Sequence, residues 1–378
     1  MSMQVVVTGM GLASALGSTV ESSWGHLLKG ATGLQIHQPF PELSPRPLGL
    51  VYDAPSSIAA LLFPTIDAAL QDTDLDSLTP GTGVVIGSSR GSQSQWESAI
   101  RAHHGRGSVE NDLLRLYGDS PASMVAQKLR VTGPALSPRA ACATGLWAIA
   151  QGADLIRTGQ CSQVIVGAVE APITPLTLAG FAKMGAMATT GAYPFDRHRE
   201  GLALGEGAVA LVLESEALAQ RRNAEIYGEV LGFGCTADGY HRSAPDRDQK
   251  VAIASLQQSL QRSHLQPTDI DYIHAHGTAT ELNDQAEASL VQRIFPASVA
   301  VSSTKGATGH TLGASGAIGA AFSLLSLQQQ IVPPCVGLRD PAFDLYLPRA
   351  ATPMKLRAAL CLSFGFGGQN TALTLAAI

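Results

Sequence analysis

Residues 139–156 and 301–320 follow one plan: a short apolar or strand-like run, a turn carrying a reactive side chain, then at once a helical pattern of Ala, Gly and other small residues. The reactive residue is Cys142 in the first stretch and His310 in the second. Helices of such small residues suit close packing against other elements. The most membrane-like stretch, 313–327, is interrupted by Ser and Gly and is shorter than the ~20 apolar residues a span requires, so it reads as a helix buried in protein. At the head of a helix Cys142 would meet unpaired N–H groups and partial positive charge, which favour a thiolate and can hold an oxyanion. A free thiol near ~8.5 needs a drop of more than about 1.5 units for its thiolate to dominate at pH 7. Taken alone, Cys142 also fits an inert core cysteine, because small buried cysteines are common in packed helices.

The second half of the chain favours chemistry. The run Asp271-Tyr-Ile-His274-Ala-His276-Gly-Thr278-Ala-Thr280 reads as a strand entering a Gly-containing loop, which places His276 at a strand end, where chemistry collects in α/β folds. His274 is expected to face away from His276 or to pack beside it. His26, His37, His103, His104, His198, His241 and His264 read as ordinary core or surface residues.

Five ordered motifs make the chain similar to the elongating β-ketoacyl-ACP synthases, the type I and II ketosynthases of the thiolase superfamily. They are Ala-Cys142 before a helix; His276-Gly-Thr-Ala-Thr with Asp284 and Glu287 following; Lys305-Gly-Ala-Thr-Gly-His310; Pro194-Phe-Asp-Arg-His-Arg-Glu-Gly; and Ser363-Phe-Gly-Phe366-Gly-Gly-Gln-Asn370. The resemblance covers essentially the whole chain. It implies a duplicated five-layer αβαβα fold and a catalytic set of Cys142, His276, His310 and Lys305, supported by Asp284 and Glu287. The second histidine argues against the initiating branch, which uses Cys-His-Asn. The implied reaction is a decarboxylative Claisen condensation of an acyl-enzyme with malonyl-ACP. A thiolate takes the acyl group, and two histidines stabilise the enolate left by loss of CO₂. By the same resemblance the backbone N–H groups of Cys142 and Phe366 hold the later oxyanion, Phe366 gates the acyl tunnel, and Thr278 and Thr280 bind the phosphopantetheine arm. Lys305 reads as an electrostatic orienter, because an unpaired buried ammonium is expensive. No cofactor or metal is implied, since the substrates ride on the carrier's arm. The implied partners are an acyl carrier protein and a second subunit, in a homodimer or a heterodimer with a related ketosynthase.

Composition agrees. At 378 residues and 45% hydrophobic, the chain is ample for one or two buried cores. A net charge of −5 speaks against nucleic acid or an anionic membrane as partner, so an acidic carrier must find a local basic patch; Arg101, Arg106, Arg115, Arg197 and Arg199 are candidates. Cys142, Cys161, Cys235, Cys335 and Cys361 are odd in number and lack metal-ligand spacing, which points to a reducing, cytoplasmic compartment without a zinc site. The N-terminus lacks the basic flank and apolar length of a signal peptide. Residues 4–8, 83–87, 163–169, 208–213 and 226–233 read as strands, and 20–28, 121–129, 146–157 and 250–262 as helices. That alternation means α/β. The polar stretch 214–222 is expected to divide an N-terminal half, 1–222, carrying the nucleophile, from a C-terminal half, 223–378, carrying the histidine pair.

The family's usual Thr-Ala-Cys-Ser-Ser is Ala140-Ala-Cys142-Ala-Thr here, and Leu202, Leu362 and Gln369 also depart from its pattern. These changes spare the catalytic groups and point to a specialised pathway or an unusual acyl substrate. Two further readings stand beside the condensing enzyme. One is a non-catalytic partner subunit of the chain-length-factor type, which usually lacks the Cys. The other is a thiolase-like acyl-CoA acyltransferase, for which Cys361 would have to serve as a second catalytic thiol.

Overall fold

Apolar runs bounded by Gly or polar turns form the strands of the computed structural model, which describes residues 3–73, 78–79, 81–103 and 120–378. Arg106, Arg115 and His104 lie outside the described residues, as does the side chain of His103. Ten strands build one sheet: β1 Val5–Ala13, β2 Gly83–Gly87, β3 Ala135–Leu136, β4 Gln163–Glu170, β5 Gly207–Ser215, β6 Gly228–Ala237, β7 Tyr272–His274, β8 Ala300–Ser302, β9 Ala358–Gly365 and β10 Gln369–Ala376. Strands β1, β4 and β5 are buried at every position, which accounts for their nearly unbroken Val, Ile, Leu and Ala.

The spatial order is β3-β2-β4-β5-β1-β6-β10-β9-β7-β8. Read outward from the centre, the first half runs β1-β5-β4-β2-β3 and the second β6-β10-β9-β7-β8, the same permutation. Strand sense repeats as well. β2 is parallel to β3 and β4 just as β7 is parallel to β8 and β9, while β4-β5-β1 and β9-β10-β6 are antiparallel. A short antiparallel pairing of Val6 and Val7 with Glu229 and Gly228 joins the halves.

Helices complete five layers. Ile58–Asp72 (α1) and Pro121–Leu129 (α2) cover the outer face of the first half, and Lys250–Ser263 (α4) covers that of the second. Thr144–Arg157 (α3) and Ser315–Gln329 (α6) pack against each other between the two halves, and Glu281–Ile294 (α5) shares the apolar cluster of α4 through Leu290 and Val291. Every residue of α6 from Ser315 to Leu327 is buried, as its small residues led us to expect.

Strand β1 outruns its expected end at Thr8 because Gly9 and Gly11 are positions of close approach rather than turns. A Cβ on Gly11 would lie 2.0 Å from the carbonyl oxygen of Thr65 in α1. The second half repeats the device, with a Cβ on Gly234 falling 1.8 Å from the Ser255 carbonyl oxygen of α4. The stretch 214–222 is not a solvated linker. Glu214, next to last in β5, is fully buried, and its carboxylate pairs with Arg222 at 2.6 Å while accepting from Thr8 and Gln163. Residues Glu216–Arg221 between them form a short helix.

Candidate active site

The helix start that carries Cys142 is tightly wound. Ala141 has φ +47°, in the left-handed region, and Thr144 Oγ1 accepts from Ala140 N at 2.9 Å and donates to Ala141 O at 2.7 Å. The N–H groups of Ala143 and Thr144 bond the carbonyls of Ala140 and Ala141 within this turn. They are therefore not free to hold a thiolate. Burial pushes the Cys142 thiol up to about 11, with Glu170 adding to the rise and Lys305, Arg90 and the Phe366 N–H opposing it. Desolvation of the buried thiol thus works against the lowering expected from a helix terminus, whose first donors are engaged within the turn. Second-half residues close over this turn. Ser363 Oγ donates to Cys142 O at 2.9 Å, and a Cβ on Gly365 would lie 2.7 Å from Ala140 O, so only glycine lets that loop approach.

His276 follows the end of β7, and His310 follows the short helix Lys305–Thr308. Their rings meet edge to face with centroids 5.3 Å apart, and one donor atom each of Cys142, His276 and His310 lie within 4.8 Å of one another. Lys305 Nζ donates to the His276 carbonyl oxygen and lies 3.5 Å from His276 Nδ1. Ser315 Oγ lies 2.9 Å from His310 Nδ1. Lys305 can only donate, so His276 Nδ1 accepts and that ring presents an Nε2–H; a Ser315 hydroxyl donating to His310 Nδ1 would leave the second ring the same neutral donor. Burial and then the Lys305 charge hold both imidazoles well below their ordinary range. The same three donor atoms would suit a soft divalent ion, and the buried Lys305 ammonium beside them works against one.

Two carboxylates on α5 pin the histidine loop. Glu287 accepts from the N–H groups of His276 at 2.6 Å and Gly277 at 2.7 Å, and Asp284 accepts from Phe195 N at 2.8 Å and Ala279 N at 3.2 Å. Burial pushes the Glu287 carboxyl up and the Lys305 ammonium down, and their mutual attraction opposes both shifts. Thr278 and Thr280 join their hydroxyls at 2.8 Å. His274 packs beside the site rather than in it. Its ring lies against Gly319 of α6, and its Nε2 is 3.1 Å from Thr304 Oγ1.

Cys142, His276, His310, Thr278, Thr280, Glu287 and Phe366 all line one cavity of about 550 Å³, within the usual range for small-molecule pockets. Asp284 and Lys305 stand behind it. Phe366 is 40% exposed, with its ring 6.2 Å from that of Phe181. Sequence reasoning did not single out Phe181 or Ser315, although Ser315, five residues past His310 at the head of a small-residue helix, could have been read as its orienter. Cys361 is buried in β9 with its thiol on Ser323 of α6, 3.1 Å away, and does not line the cavity. Of the candidate docking arginines, Arg197 pairs with Asp340 at 2.8 Å, Arg101 approaches Glu97 at 3.9 Å, and Arg199 lies half-buried over the Phe343 ring. No helix among the described residues is long and apolar enough to cross a membrane.

Residues 52–219 match the family model described as beta-ketoacyl synthase, N-terminal domain, and residues 227–339 match its C-terminal domain. Among curated relatives, a 3-oxoacyl-[acyl-carrier-protein] synthase 2 of Vibrio harveyi is 35% identical across 98% of this chain and 97% of its own. A putative mitochondrial 3-oxoacyl-[acyl-carrier-protein] synthase of Schizosaccharomyces pombe is 31% identical across 98% of both chains. Among solved structures, one of a type II polyketide-synthase acyl-carrier protein in complex with its ketosynthase bound to a hexaketide superposes with a TM-score of 0.93 at 27% identity, covering 100% of both chains. The ishigamide ketosynthase/chain length factor superposes with a TM-score of 0.92 at 27% identity, again over 100% of both chains.

Proposed function

From a chain that belongs to the beta-ketoacyl synthase family, we propose the following division of labour in its condensation reaction. The enzyme is an acyltransferase that joins an acyl-enzyme to malonyl-ACP with loss of CO₂, in fatty-acid or polyketide synthesis. Cys142 Sγ attacks the carbonyl of an acyl-carrier thioester. An S–C bond forms, the carrier sulfur leaves, and the thiol proton departs with it. Malonyl-carrier then loses CO₂, and the electron pair of the broken C–C bond passes into an enolate whose oxygen accepts from His276 and His310 Nε2–H. The enolate carbon attacks the acyl-Cys142 carbonyl, whose oxyanion is held by the N–H groups of Cys142 and Phe366, and C–S cleavage releases the β-ketoacyl carrier and leaves Cys142 as a thiolate, which takes a proton from solvent to restore the thiol.

The observation that carries this reading is the meeting of three donor atoms within 4.8 Å at a cavity wall, with both Nδ1 atoms engaged from behind. Lys305, Glu287 and Asp284 are positioning residues: Lys305 acts through His276, the two acids through the backbone of its loop. Thr278 and Thr280 are assigned to the pantetheine arm on its way to Cys142. The steps draw on no group beyond the chain and carrier-bound substrates, and we place the enzyme in the cytoplasm, working with an acyl carrier protein and a second ketosynthase-like subunit. Intact Cys, His and His favour a catalytic subunit over a chain-length factor. The test is acyl transfer from carrier and from CoA thioesters, followed by intact-protein mass spectrometry. Wild type should gain one acyl group on Cys142 from carrier thioesters, and Cys142→Ala should gain none while keeping its fold. An adduct on Cys161, Cys235, Cys335 or Cys361 instead would overturn the assignment.

A further inference from the structure

A cation stands near Cys142, close enough for its charge to act on the thiol. The Arg90 guanidinium lies over the Phe181 ring, 5.7 Å from its centroid, and the Phe366 ring is 6.2 Å from that of Phe181. Phe181 and Phe366 both line the cavity with Cys142, whereas Arg90 does not line it and meets it through the Phe181 ring. Around them Cys142, Ile173, Leu178, Met187, Leu202 and Leu312 form an apolar cluster, the kind of wall an acyl chain would follow.

Arg90 is held there by its backbone. Buried Glu170 Oε1 accepts from Ser89 N and, at 3.3 Å, from Arg90 N; Ser88 Oγ accepts from Gly91 N at 2.8 Å; and Arg139 Nε donates to Ser89 O at 2.9 Å. Among the described residues no carboxylate pairs with its side chain. Its charge is felt at Cys142, where it opposes the effect of burial on the thiol. A plain alkyl chain laid against this guanidinium would strip it of water and return no hydrogen bond, whereas a chain bearing oxygen acceptors would replace that water.

Resting on Cys142 as the acylated residue, we propose that Arg90 is a specificity-determining residue that selects acyl groups carrying an oxygen acceptor, keto or carboxylate, along the chain beyond the thioester. Displacement of Phe366 on loading lets the chain run along Phe181 to the guanidinium. Condensation then extends an already oxygenated chain in preference to a saturated one.

The experiment compares loading of Cys142 from hexanoyl, keto-hexanoyl and adipoyl thioesters on one carrier, in wild type, Arg90→Leu, Arg90→Gln and Arg90→Lys, with thermal midpoints confirming the fold. Rate ratios between thioesters cancel any change in thiol reactivity. Wild type should load an oxygenated chain about 10-fold or more faster than hexanoyl, the scale of a hydrogen bond to a charged group. Arg90→Leu and Arg90→Gln should erase or invert that ratio, and Arg90→Lys should keep part of it. Adipoyl ahead of keto-hexanoyl identifies a carboxylate as the group recognised, and the reverse order a ketone. Wild type loading hexanoyl as fast as both, or Arg90→Leu keeping the preference, would overturn the inference alone. Failure of all three to load Cys142 would overturn the catalytic reading and the inference with it.

Discussion

Cys142, the proposed nucleophile, is a buried thiol. Its pKa stands at about 11, so at neutral pH the thiol form dominates, and the thiolate fraction grows about tenfold per pH unit until that value is reached. Alkylation of Cys142 by iodoacetamide, followed by peptide mass, should therefore keep rising from pH 7 to pH 10. A plateau by about pH 8 would mean that the helix terminus outweighs burial after all. The histidines divide from the thiol by step. His276→Ala and His310→Ala should still accept an acyl group but lose malonyl decarboxylation, each by about 100-fold or more, as removal of one oxyanion donor typically does. Near-normal CO₂ release from both variants would remove the paired-donor role. Phe366 differs from the core rings in being 40% exposed and in having Gly367 and Gly368, both with positive φ, on its far side. Phe366→Ala should cost less than the ~3–5 kcal/mol of a core Phe deletion while speeding or broadening acyl loading. A large fall in thermal midpoint with unchanged loading would make it a packing residue.

At the scale of elements, contact between helix and sheet is set by glycines that leave no room for a Cβ. Gly234→Ala would place a methyl 1.8 Å from the Ser255 carbonyl oxygen, which is backbone and must move with α4, so a loss of about 1–3 kcal/mol or more is expected in urea unfolding. Gly25→Ala, in helix Val20–Leu28 with nothing within 4 Å, should instead gain up to about 1 kcal/mol. Equal effects at the two sites would show that glycine here matters for chain entropy rather than for contact. The same glycines explain what the sequence hid. Residues 83–87, 20–28 and 121–129 were legible to the residue because their apolar periods end at turn or cap residues. Strand β1 looked shorter than it is because a Gly at a close contact is spelled like a Gly in a turn. Helix α1 carried no clear signal because Pro64 sits inside it. The site was legible through its motif residues, which the fold gathers from both halves. Arg90 and Phe181 were not legible, because they come close to Cys142 only through the packing of loop 88–91 and helix Pro175–Lys183.

For the whole molecule, gathering the site at the seam of two halves means burying charge and imidazole together, and stability must then depend on pH. Buried His274 is pushed down to about 3, first by desolvation and then by the Lys305 charge, while an unfolded imidazole titrates near ~6.5. Below ~6.5 the unfolded chain therefore binds a proton that the native state refuses, and stability is lost as pH falls from ~6.5 toward 3. Asp284 works the other way. Burial raises it to about 6, so between that value and its ordinary 3.8 the native state takes the proton first and gains stability as pH falls. The total slope is thus a contest between buried histidines and buried acids, and a single variant isolates one side of it. His274→Gln removes the titration while keeping polar atoms for Thr304 Oγ1, which lies 3.1 Å from Nε2 in the wild type. Whatever the packing change costs at pH 7, wild type should lose about 2 kcal/mol more than His274→Gln on going to pH 5, from the 1.36 kcal/mol carried by each pH unit below ~6.5. Urea unfolding of both proteins at the two pH values reads this difference directly. A gap between them that stays constant from pH 7 to pH 5 would mean that His274 titrates alike in both states, and that the seam does not hold its imidazole neutral.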